Sequence, residues 1–241
     1  DYKTALSYME QSLDICREIG DWGEEDATLN NISQIYHARG EYDKALSYLE
    51  QSLDLQQKIG NRYGEGVTLN NIGRVYQARG DNAKALQYYE QSLDLRREIG
   101  DRAGEGVTLD NIGKINLDQG GYDKALSYLE QSLDINQEIG NRAGEGVTLN
   151  NISLIYHDRG NYTTALKYLE QSLNICKEIG DRRQEAVTSW NIGIIYKKQG
   201  DLVKAEQYMS RAVEIMEDIG HPETDVCREE LAELRAEIKG Q

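Results

Sequence analysis

The side chains that could do chemistry in this chain are few and far apart. His37, His157 and His221 have no partner at the spacing a metal site requires, and no serine or cysteine stands in a recognisable nucleophile context. The regularly spaced carboxylates read as solvated helix faces and helix caps. The chain is therefore read as a binding protein and not an enzyme, with no metal and no cofactor. What recurs instead is a pair of amides. TLNNIS at 28–33 returns as TLNNIG at 68–73, TLDNIG at 108–113, TLNNIS at 148–153 and TSWNIG at 188–193. The second asparagine (Asn31, Asn71, Asn111, Asn151, Asn191) never changes, whereas the first runs Asn30, Asn70, Asp110, Asn150, Trp190. An amide both donates and accepts, which is what reading a polypeptide main chain requires irrespective of its side chains.

Composition narrows the partners. With 42 acidic against 27 basic residues the formal charge is -15, so nucleic acid and anionic membrane surfaces are disfavoured by repulsion. No apolar run reaches the ~20 residues that span a bilayer, and Cys16, Cys176 and Cys227 are few, odd in number and distant, as expected in a reducing compartment. The expectation is a soluble, cytoplasmic protein. With no Phe and only 39% hydrophobic residues over 241 positions, a thin, extended architecture fits better than a thick globule.

The amides belong to a longer repeat. EYDKALSYLEQSLDLQQKIG at 41–60 recurs as DNAKALQYYEQSLDLRREIG at 81–100 and GYDKALSYLEQSLDINQEIG at 121–140, a gapless forty-residue period. Leu69, Ile72, Gly73 and Tyr76 form one helical stripe, and Ala45, Tyr48, Leu49, Ser52, Leu53 and Ile59 form another. Glycines such as Gly60 and Gly80 end the helices, and Asn61, Asp101, Asn141 and Asp181 follow such glycines as N-caps. Each period is thus a helical hairpin, and stacking of hairpins is needed to bury both stripes. The expected organisation is a single all-α solenoid of about eleven helices over 1–241: an orphan second helix at 2–19, hairpins at 22–59, 62–99, 102–139, 142–179 and 182–219, and a capping helix at 223–238 opened by Pro222 at N1. Starting in mid-unit, the chain reads as a fragment of a longer protein.

Leu69, Gly73, Tyr76, Gly80, Ala85, Tyr88 and Ser92 resemble the tetratricopeptide-repeat (TPR) consensus along essentially the whole chain. The forty-residue period and the LNN signature are similar to kinesin light chain repeats and to prokaryotic arrays found beside caspase-like proteases or signalling domains. The resemblance implies a right-handed superhelix whose concave groove, lined by the first helix of each hairpin, binds peptides or protein segments.

On a helical wheel with Leu69 at zero, Val67, Asn70, Asn71, Arg74 and Ala78 cluster between about 100° and 200°, away from the packing stripe. The groove candidates are accordingly Asn31, Asn70, Asn71, Arg74, Asn111, Lys114, Asn150, Asn151, Leu154, Trp190, Asn191 and Ile194. The varied places grade from Gln34, Arg74 and Lys114 to Leu154, Trp190 and Ile194. Two alternatives stand beside this reading: the amides bridge adjacent hairpins, and Trp190 covers a packing defect. If Glu25, Glu65, Glu105, Glu145 and Glu185 rim the groove, the bound segment is basic; as first-turn carboxylates they also suit the helix dipole. The function expected is an interaction scaffold for an extended segment or, alternatively, a peptide-sensing module that controls an attached effector.

Overall fold

A computed structural model describes residues 2–240. Among them are twelve helices and no strand. They are α1 (Tyr2–Ile19), α2 (Trp22–Ala38), α3 (Tyr42–Ile59), α4 (Arg62–Arg79), α5 (Asn82–Ile99) and α6 (Arg102–Asp118). There follow α7 (Tyr122–Glu138), α8 (Arg142–Asp158), α9 (Tyr162–Ile179), α10 (Arg182–Lys198), α11 (Leu202–Ile219) and α12 (Thr224–Gly240). The expected orphan, ten hairpin helices and terminal helix make twelve, one more than the eleven expected. The last one opens at Thr224, so Pro222 lies ahead of the first helical residue and not at it; the Thr224 hydroxyl donates to the His221 carbonyl (2.6 Å) at this entry. No helix is long and apolar enough to cross a membrane among the described residues.

The turns follow from two residue types. Every glycine from Gly20 to Gly220 at twenty-residue intervals has φ between 62° and 87°, a region that a side chain makes costly. The next residue then caps the following helix: Asp21, Asn61, Asp101, Asn141 and Asp181 accept from the backbone N–H three positions on, at 2.9–3.1 Å. Such a cap is worth about 1 kcal/mol.

The helices group into two compact units, one ending at Ile115 and one beginning at Asn116. In the first, Leu29, Ile32, Ala45, Leu49 and Ile72 are at most 1% exposed. In the second, Leu129, Ile152, Leu169, Ile192 and Met209 play the same part. Burying each leucine or isoleucine contributes roughly 1.5–3 kcal/mol. Tyrosines stack between the two helices of one hairpin, Tyr36 on Tyr48, Tyr76 on Tyr88, Tyr156 on Tyr168 and Tyr196 on Tyr208, with centroids 5.5–5.7 Å apart. Asn116 stands where a fifth first ring would be. Buried hydroxyls pair between a second helix and the next first helix, as in Ser52–Thr68 (2.9 Å) and Ser172–Thr188 (3.3 Å).

Size is matched between helices. Where the second helix carries Gln56, Arg96 or Asn136, the next first helix carries Gly64, Gly104 or Gly144, and a Cβ there would collide with that side chain. Where the second helix carries Cys16 or Cys176, the later position holds Glu24 or Gln184. Gly73 is matched to Tyr89 in the same way: a Cβ would stand 2.7 Å from the ring. Ser33, by contrast, is matched to Leu49 and Ser153 to Leu169. Gly73→Ala should therefore cost about 1–3 kcal/mol through overpacking. In a Tyr89→Leu background the same substitution should cost clearly less, a coupling that a urea-denaturation double-mutant cycle measures.

Candidate functional site

The invariant asparagines are used between repeats. Asn71 Nδ2 donates to Asn30 Oδ1 (3.2 Å), Asn111 Nδ2 to Asn70 Oδ1 (3.0 Å) and Asn191 Nδ2 to Asn150 Oδ1 (3.0 Å), each bond spanning 41 positions. The second asparagine of one first helix thus grips the first asparagine of the preceding one. Asn70 and Asn150 are 5% and 6% exposed, so their side chains serve this interface. Asn71, Asn111, Asn151 and Asn191 are half-buried, and Asn31 is exposed. Arg74 and Lys114 are exposed, whereas Leu154 and Ile194 are half-buried at the surface of the same helices.

Beside two of the amide bridges lie pockets that are copies of one another. In the first unit, Ser33, Gln34 and His37 of α2, Leu49 of α3, and Asn71, Arg74 and Val75 of α4 enclose about 30 Å³. In the second, Ser153, Leu154 and His157 of α8, Leu169 of α9, and Asn191, Ile194 and Ile195 of α10 enclose about 70 Å³. Every lining position of one is the other shifted by three repeats. The pockets bring together Asn71 with Arg74, and Asn191 with Leu154 and Ile194. They also recruit His37 and His157, whose Nε2 atoms are buried with no hydrogen-bond partner within the protein.

The intervening repeat shows what the histidine places can hold. There Gly73, Gln77 and Tyr89 stand where Ser33, His37 and Leu49 do. The Tyr89 ring lies against Gly73, and its hydroxyl donates to Gln77 Oε1 at 2.9 Å. Burial pushes the Tyr89 phenol up, so it stays a donor.

The family model described as tetratricopeptide repeat matches residues 1–58, 64–138 and 145–218. The chain belongs to the tetratricopeptide-repeat family. Its fold is shared with BtubC (BKLC) from P. vanneervenii, at TM-score 0.80 and 19% identity over 92% of this chain and 93% of that one. The apo form of the quorum sensor NprR from B. thuringiensis is similar at TM-score 0.74 and 19% identity, covering 98% of this chain and 66% of NprR. A signal transduction ATPase with numerous domains and a tetratricopeptide repeat sensor, from Pyrococcus horikoshii, matches at TM-score 0.71 and 22% identity. That match covers 90% of this chain but 34% of the ATPase. No curated protein sequence matches the chain.

Within the TPR frame, the recurring glutamates and Trp190 acquire defined surroundings. The recurring glutamates turn inward: Glu105, Glu145 and Glu185 are 5–9% exposed. Each is held by the arginine three residues earlier, Arg102, Arg142 or Arg182, and Arg97 and Arg211 add further pairs to Glu105 and Glu185. Their carboxylates are spent on these arginines, as first-turn caps of the helices. Trp190 is half-buried against the cluster of Ala186, Met209, Val213 and Leu231 beneath the terminal helix. Cys16, Cys176 and Cys227 are buried thiols, and burial pushes Cys176 and Cys227 up.

Sequence reasoning passed over His37 and His157 because it tested them for metal spacing alone. The signal was their company: both follow a serine, in ISQIYH and ISLIYH, where other repeats have glycine. Two outcomes follow. Asn191→Ala strands the buried Asn150 Oδ1 and should lower stability by about 1–2 kcal/mol in urea titrations; Asn111→Ala leaves Asn70 Oδ1 the longer Thr108 hydroxyl contact (3.4 Å) and should cost less. Burial, and then the charge of Arg74, lowers the pKa of His37, so the folded state resists the proton that the unfolded chain takes up below about pH 6.5. Stability contributed by neutral His37 is therefore present above that pH and lost as the pH falls. His37→Gln should show a smaller drop in Tm between about pH 7 and pH 5 than the unaltered protein.

Proposed function

We propose that this TPR chain binds an extended polypeptide segment on the faces of its first helices. The observation that carries the reading is the repeated pocket. The same seven positions form a cleft in each unit, and the varied positions 34, 74, 154 and 194 stand at its edge while the bridging asparagines beside it stay fixed. A fixed frame with varied edges is how a binding surface acquires specificity. Gln34 and Arg74 make the first cleft polar and cationic, and Leu154 with Ile194 makes the second apolar.

A sensing role for an attached effector is the second reading. It is favoured by the likeness to the tetratricopeptide repeat sensor of the P. horikoshii ATPase and to the quorum sensor NprR, proteins of which this chain spans 34% and 66%. Ligand contact beside an inter-repeat amide bridge would couple binding to the packing of neighbouring hairpins.

The test is selection from a random-peptide display library on the immobilised, folded chain. Retained peptides should lose about tenfold in affinity, equivalent to about 1.4 kcal/mol, with Ile194→Asp. A library that yields no retained sequence would overturn the reading.

A further inference from the structure

The pocket between α8 and α10 has a one-sided hydrogen-bonding character. The Ser153 hydroxyl donates to the Asn150 carbonyl (2.6 Å), Asn191 Nδ2 donates to Asn150 Oδ1 (3.0 Å), and His157 Nδ1 lies 3.0 Å from Asp158 Oδ1. Ser153 has thus spent its only proton inside the protein, and Asn191 has spent one of its two. A carboxylate accepts, so the neutral imidazole places its proton on Nδ1 and leaves a bare lone pair on Nε2. That Nε2 is buried and without a partner in the protein. The polar groups behind the pocket are therefore acceptors, Ser153 Oγ, Asn191 Oδ1 and His157 Nε2, set behind a largely apolar lining of Leu154, Leu169, Ile194 and Ile195; His157 Nε2 is itself covered, so a ligand reaches it as the imidazole turns. The one unspent proton among these groups is the second on Asn191 Nδ2. A group with an apolar body and a donor at its tip satisfies both surfaces.

The chain itself supplies the precedent. In the intervening repeat the tyrosine at 89 lies over Gly73 and donates its hydroxyl to Gln77, the positions that correspond to Leu169, Ser153 and His157. The phenol is there built in. At α8–α10 the ring is replaced by the smaller Leu169, about 70 Å³ opens, and an unused acceptor remains.

We propose that this pocket recognises a tyrosine side chain of the bound segment, its ring between Leu154 and Ile194 and its hydroxyl donating to His157 Nε2. The proposal rests on the reading of the first-helix faces as a polypeptide-binding surface, and it names the side chain that the second unit selects. The equivalent pocket at α2–α4 differs by Gln34 and Arg74 at its edge, and the selection is not extended to it.

The experiment titrates N-acetyl-tyrosinamide and N-acetyl-phenylalaninamide into the full chain at about pH 8, where an ordinary histidine is neutral, and follows backbone amide shifts of α8 and α10 by NMR. The tyrosine amide should bind about fivefold more tightly, the share of one hydrogen bond. His157→Leu should reduce that ratio to about one while retaining weak binding of both. The triple variant Ser153→Gly, His157→Gln, Leu169→Tyr transplants the filled arrangement that already folds at 73, 77 and 89. It should keep the native Tm and bind neither amide. Equal affinities in the unaltered chain, a preference that survives His157→Leu, or shifts elsewhere than at this pocket would each overturn the proposal. The library selection separates the two levels: retained peptides without enriched tyrosine remove this inference and leave the binding role standing, whereas no retained peptide removes the role itself.

Discussion

The short turn of two to four residues between consecutive helices is the constraint on which the other interfaces depend. A left-handed glycine closes each turn and, except at Glu41, Gly121 and the entry to α12, an Asp or Asn after it caps the next helix, so the chain reverses with almost no loop to adjust. Short connections force sequential helices to be neighbours. Because the interval is the same throughout, each stripe meets its partner in the same register every forty residues, and stacked tyrosines, buried hydroxyl pairs and amide bridges can recur at fixed offsets. A turn of another length would break all three at once.

The amide bridge shows how structural and ligand-facing duties share one helix. A polar group in an inter-helix seam must be satisfied, and the chain does this by spending an Nδ2 of the second asparagine on the Oδ1 of the first. The seam is then closed, and what the neighbouring surface offers outward is set by what remains. In the second unit acceptors remain, and in the first the guanidinium of Arg74 stands beside them. The character of each face is thus a by-product of how the repeats hold together.

Helix positions, turns and caps were legible in the sequence because each is decided by residues within one helical turn: Asn61 follows Gly60, and its side chain reaches Gly64 N–H. The use of Asn70 was not, because a wheel with one packing stripe cannot represent a helix that is covered on several sides. At 100° from the core stripe, Asn70 looked outward, but the adjacent first helix lies there and buries it. The ion pairs of the glutamates were illegible for the same reason: Glu185 meets Arg211 from the following second helix, 26 positions on. The pockets depend on a pair sixteen residues apart, Ser33 with Leu49 against Gly73 with Tyr89. Neither member is unusual alone.

The size matching of Gln56 to Gly64, Arg96 to Gly104 and Asn136 to Gly144 has a genealogical consequence. The residues that must change together sit on the second helix of one hairpin and the first helix of the next, on opposite sides of a turn. A recombination that exchanged whole hairpins would cut between them and could set an arginine against a residue such as Gln184. One that exchanged a second helix with its following first helix would carry lock and key together. By this pairing the matched unit is a second helix with its following first helix, offset by half a period from the hairpin, whereas Gly73 and Tyr89 are matched within one hairpin.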